Sequence, residues 1–208
     1  MKKTFFLSLF LLTIGCSKKL FNEKWTTKQA PDVFKARFET TQGIFDIEAK
    51  REWSPKGVDR LYQLIQSGFY TDIAIFRVVP NFVAQFGIHN NKVLNNQWQH
   101  YKVDDEPVVK NNNEMTLSFA RGGKKSRTTQ VFINLKDNKR LDKLDYAGVK
   151  GFPVVAEIID GKENVKKFYQ NYGDKLGMRQ DSISKYGNDF LKRKYPKVDY
   201  IIKAYLLK

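Results

Sequence analysis

The chain has 208 residues, 41% of them hydrophobic, which is enough to bury one sizeable core, so a single domain is expected. Its formal charge of +15 favours anionic partners such as acidic lipid headgroups, in a salt-dependent way. The basic residues are scattered, with no arginine-rich helix and no aromatic RNA-binding signature, which argues against nucleic acid as a partner. The single cysteine excludes an intramolecular disulfide, and the two histidines, His89 and His100, stand alone in loops rich in Asn and Gln.

In chain order, Lys2 and Lys3 precede an apolar run from Phe5 to Ile14, followed by Gly15 and Cys16. A basic start, a short apolar run and a small residue at the cut describe a signal peptide over residues 1–15, too short to span a bilayer in its own right. The stretch "LLTIGC" resembles the lipobox of bacterial lipoproteins, although Thr13 stands where leucine is usual. That resemblance implies lipidation of Cys16 and an extracytoplasmic protein of the bacterial cell envelope, in the periplasm and anchored to the membrane. Several acyl chains hold a protein at a bilayer stably where one is marginal. The alternative is an ordinary secreted protein with an unpaired thiol. Residues 16–31 then read as a polar tether, and 32–208 as the folded domain.

The segment "FKARFETTQGIFDIEA" alternates on both sides of a Thr-Gln-Gly turn, with Phe34, Ala36 and Phe38 on one side and Phe45, Ile47 and Ala49 matching them, which predicts a hairpin. "SPKGVDRLYQLIQSGFY" predicts a short amphipathic helix over the hairpin's apolar face: Ser54 as N-cap, Pro55 at the first position, and Val58, Leu61, Tyr62 and Ile65 on one face. Short β-rich runs follow in "DIAIFRVVP", "FVAQFG", "MTLSFA", "QVFINL" and "FPVVAEIID", with loops over 88–113 and 121–129. After Gly161 the pattern becomes helical, with Val165, Phe168 and Tyr169 on one helix and Ile183, Tyr186, Phe190 and Leu191 on another. A terminal strand in "KVDYIIKAYLLK" is placed to pair with the first hairpin. The class is mainly β, an antiparallel barrel or sandwich.

Most familiar chemistries find no residues here. No Cys/His cluster has metal-ligand spacing, no GxSxG elbow appears, and "ARGGKKSR" lacks the P-loop spacing, so neither metal nor cofactor is expected. Asp104, Asp105 and Glu106 read as a solvated turn before Pro107, and both histidines as solvated loop residues. What stands out is Arg77, a permanent charge inside the apolar "IFRVVPNFVAQFG". Alternation would put it on the strand face of Ile75 and Val79, opposite Phe76 and Val78. By periodicity alone it could be an arginine snorkelling from a half-exposed strand. Gln85 and Gln130 are similarly out of place, because an amide inside an apolar strand needs a hydrogen-bonded reason to be there.

Three separated stretches resemble the cyclophilins in the family's order: "FRVVPNFVAQFG", "LSFARGG…TTQVFINL" and "LDKLDYAGVKGFPVVAEIIDG". The likeness covers about residues 34–165. It implies a closed eight-stranded antiparallel β-barrel capped by helices, with 162–194 as an extra helical insertion before the last strand. It also implies a peptidyl-prolyl cis/trans isomerase that needs no cofactor, acts on proline-containing unfolded or flexible polypeptides and is a monomer. By the same resemblance Arg77 is the catalytic residue, and Phe82, Val83, Phe132 and Leu141 hold the proline ring. Gln85 and Gln130 fix the peptide, Ala120 and Arg121 lie where the family binds the substrate backbone, and Phe152 lies near the pocket. The chain departs from the family pattern at Phe86, Arg121, Val131 and Arg140, usually glycine, asparagine, phenylalanine and tryptophan. Those departures leave open a second reading, a non-catalytic cyclophilin-like peptide-binding or holdase module.

Overall fold

The structure, a computed structural model, describes residues 21–208. The expected signal peptide and the lipidated Cys16 lie outside these residues. Strands β1 (Val33–Thr40) and β2 (Gly43–Lys50) form the predicted hairpin, turning through Thr41 and Gln42. Alternation works here as expected: Phe34, Ala36, Phe38, Phe45, Ile47 and Ala49 are all buried, and Phe38 stacks on Phe45 at 4.9 Å. Helix α1 (Pro55–Gln66) lays Val58, Leu61, Leu64 and Ile65 into the same core.

The cap of α1 differs from expectation. Ser54 makes no side-chain cap bond to the helix; its hydroxyl donates instead to the Glu106 carboxylate. That carboxylate accepts from the free N–H groups of Lys56 (2.8 Å) and Gly57 (3.1 Å), so the cap comes from 50 residues away. A negative group at a helix N-terminus is favoured by both the orphan donors and the macrodipole. Glu106 is therefore a structural carboxylate, its side chain only 10% exposed and paired with Arg127 at 2.9 Å, and not part of a solvated turn.

Further along come β3 (Ile73–Ala74), β4 (Arg77–Val79), β5 (Val83–Phe86), α2 (Lys92–His100), β6 (Thr116–Phe119), β7 (Val131–Asn134) and α3 (Arg140–Lys143). A small hairpin, β8 (Asp145–Tyr146) and β9 (Val149–Lys150), leads into β10 (Val154–Asp160). Then α4 (Lys162–Val165), α5 (Gly173–Gly177) and α6 (Gln180–Lys194) precede the final strand β11 (Tyr200–Leu206). Nine strands form one curled sheet in the order β3-β11-β1-β2-β10-β6-β7-β5-β4, with antiparallel pairing throughout. The closed eight-stranded ladder is thus replaced by a nine-stranded one whose end strands, β3 and β4, are successive in the chain.

The reason lies in the single run 73–79. Ile75 stays with the main core and its N–H donates to the Asp199 carbonyl at 2.8 Å, continuing the pairing of β3 with β11. Phe76 turns into a second cluster with Ile88, Leu176, Ile183, Leu191 and Val198. Val78 then returns to the main core. The alternation has slipped by one residue, which reverses every later side chain. Arg77 and Val79 consequently lie on the half-exposed face, and Ile75 on the opposite, core-facing one, which corrects the face assigned from simple alternation.

Two other expectations change. The stretch 88–113 contains α2, which buries Leu94 and Trp98 and is capped by Asn91 accepting from the Leu94 N–H at 3.0 Å. His89 is half-buried with its ring 5.1 Å from that of Phe69, and burial pulls its pKa below the ordinary histidine value; His100 is exposed at the end of α2. The folded part also starts before residue 32. A 3-10 turn, Glu23–Thr27, brings Trp25 and Phe21 onto the main core, and the Ala30 N–H donates to Asp59 at 2.9 Å.

Candidate active site

Strand register assembles the site. Arg77 on β4 faces Gln85 on β5, which faces Phe132 on β7, so three side chains from three neighbouring strands form one row on the outer face. The alternate residues Val78, Ala84, Phe86, Val131 and Ile133 point into the main core and make that row rigid. Between β4 and β5 the chain turns through Pro80 and Asn81, whose φ is +55°, and presents Phe82. The Phe82 carbonyl accepts from the Leu135 N–H and from the Asn138 amide, both at 2.9 Å.

Val83, Phe132, Leu141 and Phe152 form a small buried cluster separate from the main core, with Phe82 and Ala120 against it. They line a cavity of about 290 Å³ whose wall also includes Arg77, Gln85, Arg121, Arg140, Leu144 and Tyr146. Ligand sites commonly occupy roughly 300–1,000 Å³, so this one suits a group of proline-ring size rather than a large molecule. Of the residues named from sequence, only Gln130 lies off this cavity. It lines the adjoining polar one together with Gln85, Ala120, Arg121, Ser126, Thr128 and Gln180.

Arg77 is held by two partners. Its Nε donates to Asp174 at 2.6 Å and its Nη1 to the Gln85 side-chain oxygen at 3.2 Å. Gln85 Nε2 in turn donates to Gln130 at 2.8 Å, and Gln130 Nε2 to Gln180 at 2.9 Å. These bonds supply the reason for both amides, Gln85 buried and Gln130 half-buried. The Arg77 and Arg140 guanidiniums lie 5.5 and 4.9 Å from the centre of the Phe82 ring, a cation–π arrangement on the edge of the cavity. A guanidinium beside an apolar hollow interacts more strongly with an acceptor whose entry displaces the water there, because less solvent then screens it.

The family model of the cyclophilin type peptidyl-prolyl cis-trans isomerases matches residues 35–188. The chain belongs to the cyclophilin family. It is 29% identical over 155 residues to the peptidyl-prolyl cis-trans isomerase B of Escherichia coli, covering 69% of this chain and 89% of that protein. It is also 29% identical over 156 residues to the isomerase A of Dickeya dadantii, covering 70% of this chain and 76% of the relative. A 36% identical match to the isomerase-like 2 protein of Gibberella zeae extends over 52% of this chain but only 19% of that much longer protein. Among solved structures, a cyclophilin of Cryptosporidium parvum overlays with a TM-score of 0.60 at 18% identity, covering 85% of this chain and 98% of the other, which bears on the fold alone.

The departures from the cyclophilin pattern sort themselves by position. Phe86 and Val131 point into the main core, Phe86 with its ring 5.4 Å from that of Tyr70, so neither alters the pocket. Arg121 is buried and spends its guanidinium on the protein: it donates to the carbonyls of Gly151 and, at 2.7 Å, Val149, and lies 4.0 Å above the Phe152 ring. Burial lowers its pKa from the usual arginine value. It pins the β8–β9 hairpin against the pocket, while Arg140 lines the pocket mouth.

Sequence reasoning missed a buried amide network beneath this cyclophilin's pocket. Asn112 donates to the Phe152 carbonyl at 2.8 Å and accepts from Ser118 and Asn134, and Asn134 accepts from Asn138 at 2.8 Å. Asn134, an amide closing the apolar run "VFIN", was the available signal. Gly87 is a further requirement. Its φ is +113°, and a Cβ there would lie 2.4 Å from the Thr129 carbonyl oxygen and 2.7 Å from the Gln130 Cα. Gly87→Ala is expected to destabilise the fold by about 2–4 kcal/mol, from an unfavourable φ and a backbone clash. Urea unfolding of the variant beside the parent chain measures it.

Proposed function

We propose that the chain accelerates cis/trans isomerisation of X–Pro bonds in proteins folding outside the cytoplasm, held at a membrane through lipidated Cys16. The observation that carries the activity is the position of Arg77 at the rim of an apolar hollow formed by Phe82, Phe132, Leu141 and Phe152. The location rests on residues 1–16 alone, and proline-containing flexible polypeptides are the substrate class; the second Cryptosporidium parvum structure was determined in the presence of the dipeptide Ala-Pro.

The reaction breaks no covalent bond. It must lower a rotational barrier of about 18–20 kcal/mol that comes from amide resonance. Unaided, X–Pro isomerisation takes on the order of tens to hundreds of seconds, long enough to limit folding. As the C–N bond twists, the prolyl nitrogen becomes pyramidal and its lone pair localises into a hydrogen-bond acceptor. With Nε and one Nη1 hydrogen engaged, Arg77 keeps three of its five donors for that nitrogen and for the neighbouring carbonyl. A donor set that binds the twisted amide better than either planar isomer lowers the barrier by that difference.

A protease-coupled assay on a short Ala-Pro peptide tests the proposal. The parent chain is expected to raise the isomerisation rate in proportion to its concentration. Peptide binding without any acceleration would instead assign it to the holdase reading, for which the diversion of Arg121 to its own backbone is the supporting observation.

A further inference from the structure

Both ends of the hydrogen-bond chain through the site lie on one short stretch of the helical segment between β10 and β11. Asp174 on α5 accepts from Arg77 Nε at 2.6 Å, and Gln180, the first residue of α6, accepts from Gln130 at 2.9 Å. Between them run Arg77, Gln85 and Gln130, with bonds of 3.2 and 2.8 Å. Arginine can only donate, so Gln85 must turn its oxygen toward Arg77 and its NH₂ toward Gln130, and Gln130 must do the same toward Gln180. The orientation of every amide is thus set by the guanidinium at one end and the acceptor at the other.

Packing points the same way. Gly177 on α5 lies against the arginine stem, and a Cβ there would be 2.9 Å from Arg77 Cδ and 3.1 Å from Cγ. Leu176 beside it anchors α5 in the second apolar cluster together with Phe76, the residue immediately before Arg77. The helical segment therefore touches the arginine's backbone neighbour, its aliphatic stem and its Nε.

We propose that Asp174, seconded by Gln180, is a positioning residue for Arg77: the 174–180 stretch clamps the guanidinium so that its remaining donors face the apolar hollow. This rests on the isomerase reading. Asp174 is 61% exposed, and an exposed ion pair contributes little to stability. Its contribution is orientation: with Nε and Nη1 both tied, the planar guanidinium has no free rotation left about its last bonds.

The test uses the full chain and three variants. Asp174→Ala is expected to lower kcat/KM on the Ala-Pro peptide about five- to tenfold with KM little changed, since a small misplacement of a catalytic group can cost up to about 10²-fold. Asp174→Asn keeps an oxygen acceptor for Nε and should restore most of the activity. Gly177→Ala, which pushes on the stem without removing any partner, should lower turnover while the chain stays folded. Independently of turnover, the Arg77 Nε–H resonance should exchange slowly in the parent and be lost by exchange in Asp174→Ala. Parent-like turnover in Asp174→Ala overturns the proposal, as does an equal loss in Asp174→Asn with the Nε–H signal unaltered. If the parent itself shows no turnover the isomerase reading fails, and the Nε–H signal alone then decides: its loss in Asp174→Ala supports the clamp, its persistence refutes it.

Discussion

Arg77→Ala should lower kcat/KM for a short Ala-Pro peptide by about 10²-fold or more, equivalent to roughly 2.7 kcal/mol of transition-state stabilisation, the cost typical of removing one preorganised donor. The unfolding midpoint should stay close to the parent's. The side chain is a quarter exposed and packs outside the main core, so its removal opens no buried cavity. Peptide affinity should fall far less than turnover, because the apolar hollow proposed to take the proline ring is formed by other residues. Arg77→Lys should not restore the rate. A lysine ammonium is a single point of charge and cannot satisfy Asp174 and Gln85 while presenting further donors to the substrate. Magnetisation-exchange NMR between the cis and trans peptide gives the rate, and titration of the same peptide gives the affinity. A variant that turns over at the parent's rate would remove Arg77 from the mechanism.

Arg127→Ala should cost about 3–5 kcal/mol of stability, a lowering of the thermal midpoint by roughly 6–20 °C in a domain of this size. Arg127 is fully buried, at 1% exposure, and donates to the Glu106 carboxylate, the Asp104 carbonyl and the Ser54 hydroxyl. Truncating it leaves the largely buried Glu106 side chain without its cation, and Glu106 is the group that caps α1. The double variant Arg127→Ala with Glu106→Gln should be less destabilised than the sum of the two single changes, since the second removes the charge stranded by the first. The pair also sets an acid limit. Burial alone would raise the Glu106 pKa, but the hydrogen bonds from Ser54, the Lys56 N–H and Arg127 win and hold it below its usual 4.5. Its contribution is therefore complete above that value and is lost as the pH falls through the lowered folded-state pKa. Arg127→Ala should make stability less steeply dependent on pH in that acid window, which chemical denaturation between neutral and strongly acidic pH measures.

Much of the architecture was legible because it depends on local periodicity. The β1–β2 hairpin and the buried face of α1 follow the spacing of Phe34 to Ala49 and of Val58 to Ile65, and the pocket residues follow short motifs whose register the sheet preserves. What was not legible depends on partners far along the chain. The slip at Phe76 exists because a second apolar cluster, built largely from 176–198, captures that ring, and no pattern within 73–79 announces it. Glu106 looked like one of three surface acids, and only the distant Arg127 and the open end of α1 make it structural. Asp174 lies 97 residues from Arg77, in a segment whose sequence shows only helical spacing. The helix α2, by contrast, could have been read from Asn91 as a cap and from Leu94 and Trp98 four residues apart.

The C-terminal strand is seated in the interior of the sheet order, between β1 and β3, with Ala36 opposite Leu206 and Ile73 opposite Ile201. The curled sheet is thus completed only when residues 200–206 pair across it, through contacts of very long sequence separation, a topology associated with slow folding and prolonged exposure of unpaired edges. Deleting residues 200–206 would remove an internal strand of the sheet, parting its first hairpin from β3, where loss of an end strand would only trim the edge.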